Sequence, residues 1–590
     1  MQSAIPDPQI TVLDTGGQYT HLIARRVREL GVYADVQPSD TPASDLRGRK
    51  GIIISGGPAS VLESGSPDID PNLLGSGIPV LGICYGHQLI ARHLGGRVEK
   101  GSRGEYGLAH LNVSCNDALW AGVQNSQIWM SHFDIVAAVP AGFRIIGCSE
   151  VSGVAAMSDP ERKLFGIQFH PEVVHTHAGR RVLENFAFSI CGAVKDWDVS
   201  RRVPVVEEQI RGTVGDQSVF FFVSGGVDST VAYTLCLRAL GSERVFGIYV
   251  DTGLMRKAET EFVRGIFNEL GARNFLVDSA AGEFLTALNG IYDPEEKRLA
   301  IGEQFVKVQE RILATEHFLD GRWILGQGTI YPDTIESGGT AKADLIKTHH
   351  NRVAGIQALI DSGRIVEPLS SFYKDEVREI GRELGVPERF LSRHPFPGPG
   401  LAIRCLCSER NGTVTEIPDG FLLPVRTVGV QGDARSYRNV LALARKPTRA
   451  DVDTIAPALT NTRSDINRVV ALCGARAALG TLTIFEAAIT KERLDILREA
   501  DAVVREFCSK TGFEDQVWQF PVVLLPAGIK EAPESVVLRP INSVDGMTAD
   551  VVLMPLEMID ELTQQILAIP QVAAVFYDLT HKPPGTIEWE

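Results

Sequence analysis

Apolar residues in the first half of the chain fall into short runs that end at glycines, separated by stretches with helical spacing. Ile10-Thr11-Val12-Leu13-Asp14 reads as a strand, and from Thr20 to Leu30 the residues Leu22, Ile23, Ala24, Val27 and Leu30 recur at the period of a helix. Gly51-Ile52-Ile53-Ile54 and Ile78-Pro79-Val80-Leu81-Gly82-Ile83 are further apolar runs, each ending in a glycine-rich turn. Strands alternating with helices predict a mainly parallel, doubly wound α/β sheet. Around Lys195 to Val214 the strand signal is lost, and the charged pattern predicts a linker helix. A second α/β unit starts at Val219-Phe220-Phe221-Phe222-Val223, passes through a helix to about Leu240 and returns as a strand over Val245–Asp251. The loop after its first strand lies where open α/β sheets bind ligands.

A third, α+β region follows the Pro- and Gly-rich stretch Arg393–Gly400. In it Phe421–Arg426 is similar to Val522–Pro526, and Ile466–Leu472 to Val572–Asp578, a faint internal duplication that predicts two related units packed as a pseudo-dimer. The expected domains are 8–195, 205–400 and 401–590, the last divided into 401–475 and 485–590.

Composition changes this picture little but narrows the function. With 44% hydrophobic and 22% charged residues the chain is globular in type, and it has no apolar run of membrane-spanning length. The N-terminal residues carry no secretory pattern, and nine cysteines without metal-type spacing point to reduced thiols, so a cytoplasmic location is expected. A net charge of −15 disfavours sequence-independent nucleic-acid binding, while an individual site can still be basic, and small anionic ligands are the expected partners.

Two segments carry chemistry. In Gly82-Ile83-Cys84-Tyr85-Gly86-His87-Gln88 a cysteine sits between an apolar strand and a helix start, flanked by small residues that permit a sharp turn; the helix N-terminus favours thiolate. Gly166-Ile167-Gln168-Phe169-His170-Pro171-Glu172 supplies an imidazole and a carboxylate, so Cys84, His170 and Glu172 are the expected triad, with Gly57 of Ser55-Gly56-Gly57-Pro58 presenting a backbone N–H to an oxyanion. In the second segment, Ser224, Gly225, Gly226, Val227, Asp228, Ser229 and Thr230 offer hydroxyls, close backbone approach and N–H groups at a helix start, a cradle for a pyrophosphate without the lysine of the Walker type. Asp228 is the candidate Mg²⁺ ligand. Lys347, in the basic loop Ile346–Asn351, is placed to neutralise phosphate charge; the adjacent His349 and His350 lack the partners of a metal set.

The first segment resembles the class I glutamine amidotransferases over about residues 8–192, and the second resembles the PP-loop ATP pyrophosphatases. The first resemblance implies that Cys84 attacks the glutamine amide to release ammonia, with Tyr85, Gln88 and Ser131-His132-Phe133-Asp134 holding the glutamine. Taken with Tyr249–Leu254, Gly326–Asp333, Arg393–Gly400 and the terminal Lys582–Glu590, the whole chain resembles the glutamine-hydrolysing GMP synthetase family in its extended form. That resemblance implies glutamine, XMP and ATP as substrates, Mg²⁺ as cofactor, and XMP contacts from Arg298, Gln431, Lys582 and Glu588, with Arg539 a further candidate. It leaves monomer and homodimer both open. Phe133 and Thr252 stand where the family usually has Gly and Asn. An amidotransferase-coupled pyrophosphatase acting on a different acceptor and a nucleotide-sensing protein without turnover remain the alternatives at this point.

Overall fold

The computed structural model describes residues 7–338, 353–431, 434–543 and 548–590. The chain divides into two compact units, one made of residues up to Glu208 with a returning segment from Ile330, the other of Gln209–Thr329 and the residues from Ile346 to Glu590. No helix among the described residues is long and apolar enough to cross a membrane.

The first unit is built on a nine-stranded sheet: β1 (Ile10–Asp14), β2 (Ala34–Pro38), β3 (Gly51–Ile54), β4 (Val80–Ile83), β5 (Arg97–Val113), β6 (Ser126–Ala138), β7 (Arg144–Cys148), β8 (Ala156–Asp159) and β9 (Leu164–Ile167), in the order β2-β1-β3-β4-β9-β8-β7-β5-β6. Pairings from β2 to β9 are parallel; α1 (Thr20–Arg28) is the crossover between β1 and β2, and α2 (Tyr85–His93) follows β4. Strands β1, β3 and β4 are buried nearly throughout, as expected where helices cover both faces of parallel strands. The other half of the sheet departs from the parallel expectation. From β5 onward the strands are linked without a crossover helix, and β5 pairs antiparallel with β6 and β7, β7 with β8 and β8 with β9, as short connections favour.

The second unit holds a five-stranded parallel sheet of β10 (Ser218–Phe222), β11 (Val245–Asp251), β12 (Asn274–Ser279), β13 (Trp323–Gly326) and β14 (Ile365–Val366), ordered β12-β11-β10-β13-β14, with α3 (Val227–Leu240) after β10 and the long α4 (Pro294–Thr315) after β12. Its C-terminal part carries a seven-stranded sheet: β15 (Thr415–Ile417), β16 (Gly420–Gln431), β17 (Ala434–Leu443), β18 (Ile466–Ala475), β19 (Val522–Leu525), β20 (Glu534–Leu538) and β21 (Val572–Asp578). The order is β15-β16-β17-β18-β21-β20-β19. Helix α5 (Ala456–Thr462) precedes β18 and α6 (Leu556–Leu567) precedes β21, and these two strands pair antiparallel at the middle of the sheet. One hydrophobic core runs from Phe220 and Ile248 through Leu401 to Val575 and Tyr577, so the two sheets of this unit share their interior.

Candidate functional site

Cys84 ends β4 and caps α2 with φ 51° and ψ −102°, a left-handed backbone that costs a side-chain-bearing residue energy and is held by its surroundings. The glycines around it explain how the turn forms. A Cβ on Gly82 would lie 2.4 Å from the Gly86 carbonyl oxygen, and one on Gly86 would lie 2.4 Å from that of Ile54. With both positions bare, the Cys84 N–H donates to the Ile167 carbonyl at 2.8 Å and the Gly86 N–H to Ser55 at 3.1 Å, fixing the elbow against β3 and β9.

His170, just beyond β9, is brought beside this turn. Its Nδ1 is 2.7 Å from Oε1 of Glu172, and both side chains are buried. Burial opposes charge on the imidazole, but the Glu172 carboxylate and hydrogen bonding to Cys84 and Glu172 outweigh it and raise the His170 pKa to about 10. These surroundings favour the charged imidazole, the form the ring takes on accepting the Cys84 proton. Gly56 closes the group: a Cβ there would come 3.0 Å from His170 Cε1 and 3.4 Å from Cys84 Cβ. His87, one turn into α2, is a different kind of histidine. Burial pushes its pKa down to about 3, and its Nε2 bonds the Val154 carbonyl at 3.2 Å, so it is a neutral packing residue.

A cleft of about 550 Å³ opens over Cys84, with Gly57, Tyr85, Gln88 and the 131–134 segment in its walls. The Tyr85 hydroxyl is spent on the Pro67 carbonyl at 2.6 Å and its ring lies in the core, which leaves its backbone to face the cleft. Gln88 donates to the Asp134 carbonyl at 2.8 Å and to Gln168 Oε1 at 3.3 Å. Phe133, 45% exposed, lines the cleft while its ring stays largely in solvent. Sequence reasoning missed a second histidine–carboxylate pair: His132 Nε2 lies 3.2 Å from Glu105 Oε2, and Ser149 donates to that carboxylate at 2.9 Å. Its members are far apart in the chain and come together only because β5 and β6 pair in register.

In the second unit the loop after β10 takes the form its glycines require. Gly225 has φ 73°, the Gly226 N–H donates to Ser224 Oγ at 3.2 Å, and the Ser224 and Ser229 hydroxyls meet at 3.2 Å. Helix α3 starts at Val227, so its unpaired N–H groups and positive dipole end lie at the loop. Gly328 lets the end of β13 approach: a Cβ there would come 2.8 Å from Ser229 N. Thr230 is fully buried behind the loop. The cleft in front, about 430 Å³, is walled by Ser224–Asp228 and by Lys374, Arg378 and Arg393, three cations that the sequence analysis did not assign. Lys374 Nζ is 3.3 Å from Asp228 Oδ2, while Asp228 Oδ1 is buried without a hydrogen-bond partner. Arg393 is held by both oxygens of Glu259 at 2.7 Å. Thr252 lines the same cleft with its hydroxyl accepting from the Leu254 N–H at 3.2 Å.

The remaining candidates gather around the chain's last residues, also in the second unit. Arg298, on α4, donates to the Glu590 backbone oxygen, and its neighbour Lys297 forms a buried ion pair with the Glu590 side chain. Glu588 accepts from Nε and Nη2 of buried Arg404, at 2.8 and 2.7 Å. Lys582 pairs through its backbone with Ala549, at 2.8 and 3.1 Å. Arg539 is fully buried and donates to Asp578, to the carbonyls of Thr580 and Thr586 and to that of Ile587, so its guanidinium is committed to anchoring the tail. Lys347 and the side chain of Gln431 lie outside the described residues. Among those described, no three His, Cys, Asp or Glu side chains cluster as a metal set.

Comparison with known families matches residues 11–190 to the class-I glutamine amidotransferases, 199–317 to NAD synthase and 506–589 to the GMP synthase C terminal domain. A probable glutamine-hydrolyzing GMP synthase of Leptospira interrogans is 44% identical, over 99% of this chain and 99% of its own. The glutamine-hydrolyzing GMP synthases of Caldicellulosiruptor saccharolyticus and Aquifex aeolicus are 40% and 38% identical, each over 98% of this chain and 99% of theirs. With the elbow cysteine, the phosphate loop and the tail all inside an alignment of this extent, the chain belongs to the glutamine-hydrolyzing GMP synthase family.

Proposed function

We infer that the protein makes GMP from XMP, ATP and glutamine, using the first unit to release ammonia and the second to activate the acceptor. The observation that carries this reading is that one chain holds both a strained cysteine backed by a 2.7 Å His170–Glu172 pair and a Ser224–Thr230 phosphate cradle at a helix start.

In the first unit Cys84 Sγ attacks the side-chain amide carbon of glutamine. The negative charge that develops on the amide oxygen is assigned to the backbone N–H groups of Gly57 and Tyr85, the latter at the start of α2. His170 passes its proton to the departing nitrogen, so the C–N bond breaks with release of ammonia, and Glu172 holds the ring in place for that transfer. Water then cleaves the glutamyl thioester, giving glutamate and free Cys84.

In the second unit the Ser224–Thr230 loop holds the ATP phosphates. The xanthine O2 of XMP attacks the α-phosphorus, and the α–β bond breaks with loss of pyrophosphate, whose charge Lys374 and Arg378 are placed to offset. Adenylation turns O2 into a leaving group; ammonia adds at C2 and AMP departs. Mg²⁺ fits this site, because Asp228 offers a buried carboxylate oxygen with no partner, and a hard cation needs only one or two carboxylates besides phosphate oxygens. Bound there, the ion would draw phosphate charge. XMP is assigned to Arg298, Gln431, Lys582 and Glu588, while Arg539 acts on the site by holding the tail.

The location is proposed as cytoplasmic, in keeping with nine free thiols. The C-terminal sheet is proposed to be a duplicated strand-strand-helix-strand unit, because β16, β17, α5, β18 and β19, β20, α6, β21 repeat that order and meet along β18 and β21. A monomer in sedimentation would agree with the second copy taking a partner's place. The functional reading is tested by GMP and AMP formation from XMP, ATP and Mg²⁺ with glutamine or ammonium as nitrogen source. Equal GMP and AMP from both sources is expected, and AMP formation independent of XMP would overturn the acceptor.

A further inference from the structure

Gln168 lies two residues before His170 on the extension of β9, so the alternation of the strand turns both side chains to the same side, toward Cys84, and sends Phe169 into the core. Its side chain is fully buried. Gln168 Nε2 lies 3.6 Å from Cys84 Sγ, and Gln168 Oε1 lies 3.3 Å from Gln88 Nε2.

Which end of an amide faces a neighbour is decided by its hydrogen-bond network. Here the network leaves one solution. The chain of contacts begins at the backbone carbonyl of Asp134, an atom that only accepts, so the Gln88 nitrogen must point to it, at 2.8 Å. The second hydrogen on that nitrogen then faces Gln168, which must present its oxygen. The Gln168 NH₂ is thereby turned to the sulfur. The Cys84 thiol has a different partner, the Ser131 carbonyl at 3.6 Å, which serves an S–H donor and repels a thiolate. Once the proton is on His170, the sulfur loses that bond and keeps the Gln168 N–H.

We propose that Gln168 is a catalytic residue of glutamine hydrolysis, donating an N–H to the Cys84 thiolate and kept in that orientation by the relay from the Asp134 carbonyl through Gln88. A hydrogen bond given to the charged form of a group favours that form, so Gln168 and His170 act on the sulfur from two directions. The relay also ties the thiolate to the 131–134 wall of the cleft. The titratable residues facing this cleft from neighbouring elements are Tyr19, Glu63, Tyr85, Lys100, Tyr106, His132, Asp134 and His170. This inference rests on Cys84 being the glutaminase nucleophile.

The test compares the native protein with Gln168→Met and Gln168→Glu, both close to glutamine in shape. Carboxamidomethylation of Cys84 by iodoacetamide is followed from pH 5 to 9, with Cys84→Ala as the blank, alongside kcat and KM for glutamine hydrolysis. Loss of a hydrogen bond to a charged group predicts an alkylation rate at pH 7 lower by about 10- to 100-fold in Gln168→Met, with the profile displaced to higher pH. The fall should be larger in Gln168→Glu, whose carboxylate opposes the thiolate. In both, kcat falls more than KM rises. Profiles that coincide with the native one, or rates lowered equally at every pH, would overturn the proposal and leave Gln168 a packing residue. Glutamine hydrolysis persisting in Cys84→Ala would instead overturn the nucleophile assignment on which it rests.

Discussion

Replacing Asp578 by Asn should unfold the second unit far more readily than a one-atom change suggests. Asp578 Oδ2 accepts from Arg468 Nη1 at 3.0 Å, Arg539 Nη1 at 2.7 Å and Trp589 Nε1 at 2.9 Å, while Oδ1 accepts from the Thr580 N–H at 2.9 Å. Both guanidiniums and the carboxylate are fully buried. Two cations and one anion leave this interior with a net charge of +1; the amide makes it +2 and supplies no anion. Whichever way the amide is turned, its NH₂ opposes a donor, either the Thr580 N–H or the three side chains. Removing one partner of a buried ion pair costs about 3–5 kcal/mol, a large share of the roughly 5–15 kcal/mol that keeps a protein folded. Urea unfolding followed by tryptophan fluorescence and by ammonium-dependent GMP formation should show that loss in the transition of this unit. A cost below about 1 kcal/mol would refute the reasoning, since it would mean that water reaches the cluster. Acid provides a second check. Burial opposes charge on Asp578, but Arg539 and Arg468 outweigh it and hold its carboxyl below the ordinary carboxylate value. The stabilisation is therefore complete above the unfolded value of about 3.9 and is lost as pH falls below it toward the folded value, a loss that the Asn protein will not show.

Cys84→Ala should abolish glutamine-dependent GMP formation and spare the ammonium-dependent reaction, measured side by side; loss of both would make Cys84 a support of the fold. Gly56→Ala should lower glutamine hydrolysis at least about 10-fold, because the new methyl displaces His170 from a 3.0 Å approach, whereas an unchanged rate would mean that the ring has room to move. His170, raised from 6.5 to about 10, contributes stability that is complete below about pH 6.5 and is lost as pH rises to about 10. Glu172→Gln should flatten that alkaline decline in thermal unfolding of the first unit, and an equally steep decline in both proteins would refute the pairing. Asp228→Asn should suppress AMP formation with either nitrogen source while glutamine hydrolysis continues; AMP formation at the native rate would remove Asp228 from the nucleotide site.

The two loops were legible because backbone sterics write themselves into sequence as glycine at fixed spacing. Gly82 and Gly86 are dictated by carbonyl oxygens 2.4 Å from where a Cβ would stand, and Gly225 by a φ of 73°. The antiparallel half of the first sheet was not legible, since a strand that turns back reads the same locally as one that crosses over, and only the absence of an intervening helix distinguishes them. The cations Lys374, Arg378 and Arg393 were hidden for a related reason. Lys374 and Arg378 lie about 150 positions from the loop they face, with nothing local to distinguish them from solvated residues, and Arg393 stood out only as part of the Arg393–Gly400 stretch, with no role of its own. The tail shows the same ambiguity in reverse. Arg539 and Glu588 have the chemistry of phosphate and base partners, and the fold has committed Arg539 to carbonyls and Asp578, while Arg404 holds Glu588 in place. That commitment changes what a loss of activity means at these positions. A side chain that only anchors the tail should, when removed, weaken XMP binding together with stability, as expected for Arg539→Met, whereas one that touches XMP should raise the KM for XMP by more than its effect on the unfolding transition accounts for, as expected for Lys582→Ala.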